Sequence, residues 1–550
     1  MIVDWNEDRA ADEHGDPAYD VCIVGSGPAG GTLAAELAGS GLRVCVLESG
    51  LARWTEHADG LKRALSEGIH VKDYSRERRL GGASTTWAGL SSPLDEIDML
   101  PRPFLTQSGW PIAREELLPF YEEAAERYRF PHARVFAGEG FGALRGRGKL
   151  QPAWDEIDEK IFLAAGEPQN FGKEVREVYD TGGVDLYLDA SVTELETSAD
   201  KARVAAVRVR TREGKERRLA ARAFVVATGG IENARLLLNS DGLGNEHDQV
   251  GRYLMNHPKN YHGILRLKEP VGDAPYYFGC LFEGFAGYAG LRLAPALQLE
   301  RGLMNSYVRL EPLFPWSDSQ GVEALVLLAK KSVFVLRAFK RGRKGDVVEL
   351  RDYSETGDDS DLQNQRKSLG SWFGLGFTIL GDLPRVARYS YARLVRRAKP
   401  RIERVRLRNF MEMEPHPDNR VVLAGEVDAY GKPLPLVRHA CRDVDRRSLV
   451  ALHEALEREI EASGLGTLDT QLASAAPWPI DQDASHHMGT TRMGTDPRVS
   501  VVDSDCRVHG VENLYMAGAS VFPTSGCANP TFTIVALSIR LARHLREELS

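Results

Sequence analysis

Apolar and polar positions alternate in blocks near the start of the chain. Val21 to Val24 is a short apolar run with Asp20 before it and Gly25 after it, the pattern of a strand buried on both faces. Thr32 to Ala38 repeats apolar residues at helical spacing, and Leu42 to Leu47 is a second buried strand ending on Glu48. Further along, the pattern predicts a helical stretch around Gly60 to Leu65, a helix from Glu115 to Tyr128, and strands from Ser191 to Glu196 and Ala202 to Arg210. Phe224 to Val226 is a buried strand running into Ala227-Thr228-Gly229-Gly230, with a helix from Ile231 to Leu238 behind it. Residues 251–480 are less regular; strands about turns within Glu412 to Ala440 and an amphipathic helix from Ser448 to Ser463 stand out. A fourth buried strand, Val511 to Gly518, and a long helix, Thr531 to Glu548, follow. Residues 1–18 read as a polar lead-in.

Gly25, Gly27 and Gly30 form G-x-G-x-x-G, with Pro28 and Ala29 inside it, between the first strand and its helix. The first glycine permits the tight turn, the second lets a pyrophosphate approach the backbone, and the third lets helix and strand pack closely. The helix N-terminus then offers unpaired N–H groups to the phosphates. Glu48, 23 positions after Gly25, stands where an acid bonds a ribose 2′-hydroxyl and disfavours a 2′-phosphate. The loop predicts a dinucleotide and leaves NAD and FAD open.

A chain of 550 residues predicts at least two lobes. Its net charge of −8 offers no footprint for nucleic acid. The six cysteines have no metal-type or C-x-x-C spacing, and Met1 to Pro17 has no leader-peptide pattern; together these predict a cytoplasmic protein with reduced thiols. Ser371 to Leu380 is apolar but too short to cross a bilayer. Two basic clusters, Lys330 to Lys344 and Arg385 to Arg408, flank an acidic run, Asp346 to Asp361. Arg385, Arg388, Tyr389, Arg393, Arg396 and Arg397 recur at helical spacing. They read either as an amphipathic helix meeting a membrane surface or anionic partner, or as a solvated helix capping the neighbouring lobe.

Three further segments carry candidate chemistry. Gly81 to Gly89 (GGASTTWAG) is rich in small residues that admit a flat ligand close to the backbone. Ser485 to Gly494 reads SHHMGTTRMG, and Asn513 to Thr531 reads NLYMAGASVFPTSGCANPT. With the glycine loop and the ATGG strand end, these motifs resemble, in order and over nearly the whole chain, the glucose–methanol–choline (GMC) oxidoreductases, on their bacterial, pyranose-oxidase-like side. The resemblance implies an α/β fold: a discontinuous Rossmann-like FAD-binding domain (1–95, 181–250 and 481–550), a connecting segment (96–180), and a substrate domain on a large antiparallel sheet (251–480) with a basic helical insert at 320–408. It implies oxidation of an alcohol to a ketone or aldehyde, on a sugar, glycoside or other polyol, with oxygen or a quinone or dye as electron acceptor. A cyanohydrin-type lyase with structural FAD and a non-sugar alcohol dehydrogenase are the alternatives. Oligomeric state stays open.

Residue by residue, the resemblance makes His486 the catalytic base, as the first residue of H-x-x-G, and Asn529, before Pro530, its partner. Gly25, Gly27, Pro28, Ala29, Gly30 and Glu48 match the ADP-binding loop, and Val192 the adenine contact. Gly82, Ser84, Thr85, Trp87 and Ala88 match the loop at the flavin edge; Ala227, Gly518, Ala519, Pro530 and Thr531 match other cofactor contacts. Where covalent members carry a flavin-linked histidine this chain has Thr86, so non-covalent FAD is expected. Asn529 and Pro530 also suit the N-cap and first position of the last helix. His487 reads as structural, His257 as structural or adjacent to the site, and no metal site is predicted.

Overall fold

The computed structural model describes residues 1–7, 19–72, 75–148, 150–317, 319–331, 370–392, 401–480 and 485–550. Tyr19–Val24 is a central strand; Val21, Cys22 and Ile23 are fully buried. It lies in a six-stranded parallel sheet ordered Ile2–Asp4, Asp185–Leu188, Val44–Glu48, Tyr19–Val24, Ala221–Val226, Leu514–Met516. Val24 is level with Leu47 and Val226, and Val226 with Met516. The loops leaving these strands therefore open along one edge, where open α/β sheets bind their ligands. Pro28–Leu37 follows the first loop as a helix. Gly25 has φ +101°, and a Cβ there would stand 2.7 Å from the Ala227 carbonyl oxygen. A Cβ on Gly30 would stand 1.9 Å from the Gly25 oxygen. The turn and the helix–strand approach both require glycine.

The second sheet has nine antiparallel strands. Its main path runs Gly466–Asp469, Ile264–Val271, Ile402–Phe410, Tyr307–Leu313, Phe285–Leu293, Ile157–Ala165, Leu90–Ser91. Lys259–Asn260 and Cys280–Phe282 pair onto it from the side. Helix Asp443–Ala462 covers part of it, burying Leu449, Leu452, Leu456 and Ile460 at three- and four-residue spacing. The mixed α/β architecture expected from the sequence is what the chain adopts.

Several details differ from the pattern reading. Ile2–Asp4 is a strand and not a lead-in, because pairing with Asp185–Leu188 satisfies its backbone and Trp5 stacks on Tyr187 at 4.6 Å. The helix near residue 60 spans Glu56–Gly60, and Leu65–Gly68 is a strand parallel to Pro433–His439. The described part of the irregular middle combines strands paired across long sequence distances with helices such as Gln320–Lys331, Leu383–Tyr391 and Asp443–Ala462. The second basic cluster is not one helix. Arg385 and Arg388 are exposed on Leu383–Tyr391, whose Tyr389 packs edge-on against Trp316, whereas Arg404, Arg406 and Arg408 lie in strand Ile402–Phe410. Residues 332–369 and 393–400, with most of the basic and acidic runs, lie outside the described residues. Among the described residues all six cysteines are free thiols, no group of side chains is arranged for a metal, and no helix is long and apolar enough to cross a membrane.

One ion pair joins these parts. Arg102 donates to both oxygens of Glu412 at 2.7 and 2.6 Å, with both side chains fully buried. Glu412 also accepts from the backbone N–H of Asn305 at 2.7 Å and of Gly526 at 3.0 Å. Arg102→Met would strand a buried carboxylate, and a loss of about 3–5 kcal/mol is expected; urea denaturation of purified wild type and variant measures it.

Candidate active site

The strand-end loops bound a cavity of about 390 Å³ that runs from Glu48 to His486. At its Glu48 end lie Gly25, Gly27, Pro28, Ala29 and Ala227. The Glu48 carboxylate accepts from the Ser26 N–H and hydroxyl at 3.1 and 2.6 Å and from the Gly50 N–H at 2.9 Å. These bonds fix it beside the glycine turn. Val192 lines a side branch with Ser191, Thr193 and Tyr430. Gly30 does not line the cavity; its place is under the helix.

The GGASTTWAG segment forms a wall through Gly82, Ser84, Thr86, Trp87 and Ala88. Its hydroxyls mostly hold the turn itself. Ser84 Oγ donates to the Gly81 carbonyl at 2.6 Å and accepts from the Phe171 N–H at 2.9 Å, and Thr85 Oγ1 donates to the Gly82 carbonyl at 2.9 Å. Thr85 accordingly faces its own turn and is not in the lining. The Trp87 indole N–H donates to the Gln169 carbonyl at 2.6 Å, which fixes the ring in the wall.

Ala519, Pro530 and Thr531 also line the cavity, the last two directly after Asn529, and Gly518 lies beside Ala29. The long helix spans Thr531–Leu549 with Pro530 at its N-cap and no side-chain capping bond. Asn529 is therefore not the cap. Its Nδ2 points to His486 Nε2 at 3.5 Å, so the motif's two polar groups meet although 43 positions separate them. Burial, and then the charges of His257, Lys259 and His487, push the His486 pKa well below the ordinary 6.5. The ring is neutral at physiological pH.

Several lining residues were given no role in the reaction by the sequence, His257 being expected as structural or adjacent to the site and His487 as structural. His257, 229 positions from His486, lies with its Nδ1 2.9 Å from His486 Nδ1. His487 is buried in the wall; burial and then Arg76 hold its pKa at about 3, and its Nε2 has no protein partner. Arg76, Arg78 and Arg235 surround Glu232 at 2.8, 2.8 and 3.2 Å. Burial alone would raise the Glu232 carboxyl, but the three arginines overcome it and hold the pKa at about 2. The only hint was the run Ser75-Arg76-Glu77-Arg78-Arg79 ahead of the glycines.

The lining suits an extended dinucleotide. A Cβ on Gly27 would meet only the Gly82 Cα, at 3.9 Å. The fold itself tolerates a side chain there; a phosphate drawn to the helix N-terminus would not. Gly518, at φ +97°, likewise has only the Ala29 Cβ, 4.0 Å away, beyond its own Cβ position. Arg76, Arg78 and Arg235 face the carboxylates of Glu232 and Asp428, which Arg235 meets at 2.6 Å, and Lys62, Glu77 and Lys432 line the cavity beside them.

Comparison with known proteins decides the lineage. The profile for FAD-dependent oxidoreductases matches residues 20–278, and that for GMC oxidoreductases matches residues 415–538. The chain belongs to the GMC oxidoreductase family. Its members' FAD-dependent oxidoreductase chemistry is therefore this enzyme's class. The chain is 26% identical to 6'''-hydroxyparomomycin C oxidase of Streptomyces lividus, over 97% of this chain and 92% of that one. It is 25% identical to 2-methyl-1,2-propanediol dehydrogenase of Mycolicibacterium austroafricanum, over 96% of each. The crystal structure of formate oxidase superposes with a TM-score of 0.53 at 15% identity, covering 96% of this chain and 98% of that one, and so shares the fold.

Gly27→Val tests the fit to FAD. The variant is expected to keep the wild-type circular dichroism spectrum and expression level while its FAD occupancy, read from the visible absorbance, falls at least tenfold.

Proposed function

We propose that the enzyme oxidises an alcohol group of a sugar, glycoside or other polyol to a ketone or aldehyde, with non-covalently held FAD and His486 as the base. The convergence of His486 Nε2 and Asn529 Nδ2 on one spot, at the opposite end of the cavity from Glu48, carries this reading. A hydroxyl placed between them meets a proton acceptor and a donor at once. The alcohol proton is far too weakly acidic to leave unaided, and a positioned neutral imidazole removes it as the oxygen acquires charge. The Asn529 amide N–H donates to that oxygen and stabilises the charge as it grows. FAD bound in the cavity supplies the acceptor for the carbinol hydride.

The protein also shapes the surroundings. Pro530 and Thr531 put a helix N-terminus at this end, which favours an adjacent anion by about 0.3–1 kcal/mol, more when partly buried. Leu90 and Phe410 give the same end an apolar wall against which the carbon skeleton of a polyol can rest. The polyol class is supported by the relatives named for hydroxyparomomycin and for a propanediol. Thr86 in the wall has no nucleophilic ring nitrogen, which supports dissociable FAD.

Three outcomes test the proposal. His486→Ala is expected to retain FAD and to slow anaerobic flavin reduction by its best sugar or polyol on the order of 10²–10⁴-fold; reduction at the wild-type rate would refute the base. Because the lowered His486 pKa keeps the active neutral form as pH falls, the reduction rate should stay level from pH 8 through 6.5, with its acid limb below that value. Acid precipitation should leave the yellow cofactor in the supernatant; a yellow pellet would mean a covalent link.

A further inference from the structure

The hydrogen bonds around His257 define where the protons on two histidines sit. His257 Nε2 is 2.8 Å from the Gly526 carbonyl oxygen. A carbonyl only accepts, so Nε2 carries the hydrogen. Burial lowers the His257 pKa to about 4, so the ring is neutral and its Nδ1 is a bare lone pair. That lone pair lies 2.9 Å from His486 Nδ1, with the rings crossed at 86°. Two lone pairs cannot share a hydrogen bond, so His486 Nδ1 carries the hydrogen. A neutral His486 then has its own lone pair on Nε2, the atom that faces Asn529 at 3.5 Å.

We propose that His257 is a positioning residue: it locks His486 in the Nδ1–H tautomer and so presents the Nε2 lone pair to the substrate hydroxyl. This rests on the reading of His486 as the base. The surrounding backbone is built to hold the pair in register. Asn256 Oδ1 accepts from the backbone N–H of His257 at 2.9 Å and of His486 at 2.8 Å. Met255 and Met488 exchange two backbone hydrogen bonds, each 3.0 Å, which clips the two segments together. The Gly526 carbonyl is fixed from the other side. Gly526 has φ +56°, a Cβ on it would stand 2.5 Å from the Asp98 carboxylate, and its N–H donates to Glu412 at 3.0 Å. When the hydroxyl O–H bond breaks and its proton forms an N–H bond at Nε2, His486 becomes a cation with two N–H groups. Its Nδ1–H bond to His257 persists and strengthens, as charge-assisted bonds do. Without the acceptor at His257, nothing at Nδ1 opposes the Nε2–H tautomer, in which the lone pair points away from substrate.

Nitrogen NMR of the ¹⁵N-histidine-labelled holoenzyme reads the tautomer directly, with His486→Gln assigning the signals. Wild type should show a protonated Nδ1 and bare Nε2 on His486; His257→Phe should shift the population towards Nε2–H. The same variant should reduce its flavin about 10²-fold more slowly, with FAD occupancy and KM little changed. His257→Asn, whose Oδ1 can accept from Nδ1–H, should recover to within about tenfold of wild type. An unchanged His486 tautomer in His257→Phe, or a His257→Asn variant no faster than His257→Phe, would overturn the lock. A changed tautomer with an unchanged reduction rate would instead overturn the base role of His486. If His257→Phe does not take up FAD, His257→Leu and His257→Asn carry the comparison.

Discussion

Everything at the catalytic end leans on the buried pair of Arg102 and Glu412. A charge removed from water is tolerable only when its partner and its remaining lone pairs are satisfied, and Glu412 meets that demand with four donors: the two Arg102 nitrogens and the N–H groups of Asn305 and Gly526. These donors come from the connecting segment, the antiparallel sheet region and the loop leading to Asn529. A single carboxylate thus fixes the catalytic loop against the sheet that faces it. From Gly526 the order continues through the His257 ring to Nδ1 of His486. Asp98 lies alongside, and burial, then the nearby Asp95 and Glu412 charges, raise its pKa to about 6. Arg102 on Glu412, and Lys160 and Arg292 on Asp95, balance the carboxylates gathered here.

The cavity divides its labour between backbone and side chains. At the Glu48 end, glycines and a helix terminus do the recognition, and side chains such as Ser26 and Glu48 mainly hold the turn. In the middle, clustered arginines set the sign of the field. At the far end stand an apolar wall and the hydrogen-bonded rings of His257 and His486, both kept neutral by burial. The charged side chains of the lining thus gather around Glu232, while Lys259 is the cation that acts on His486.

How much of this the sequence disclosed follows from how local each feature is. The glycine turn, its helix and Glu48 fall within thirty residues and have strict steric reasons, so they could be read directly. His486 and Asn529 each sit in a short, distinctive motif. His257 does not: in Met255-Asn256-His257-Pro258 it has no spacing that names a role, and its importance appears only when Met255 meets Met488. Glu412 and Gly526 are equally silent until folding brings them within 3.0 Å. The arginines of Ile402–Phe410 fall inside the span expected as a basic helical insert, but they stand in a strand of the large sheet, where Arg406 and Arg408 lie over Tyr261 at 4.6 and 5.4 Å. The cap reading of Asn529 failed because the helix begins one position later, freeing the amide for the site.

The parallel sheet sets neighbours side by side that are far apart in the chain. Val226 pairs with both Val24 and Met516, so Ala221–Val226 waits for a partner made about 290 residues after it. At a ribosome's pace of about 5–20 residues per second, that delay is on the order of 15–60 s. Over that time the edge of Ala221–Val226 lacks its partner, and the floor under the His486 end of the cavity does not yet exist. A complete cavity on this architecture consequently requires Leu514–Met516 to be in place beside Ala221–Val226.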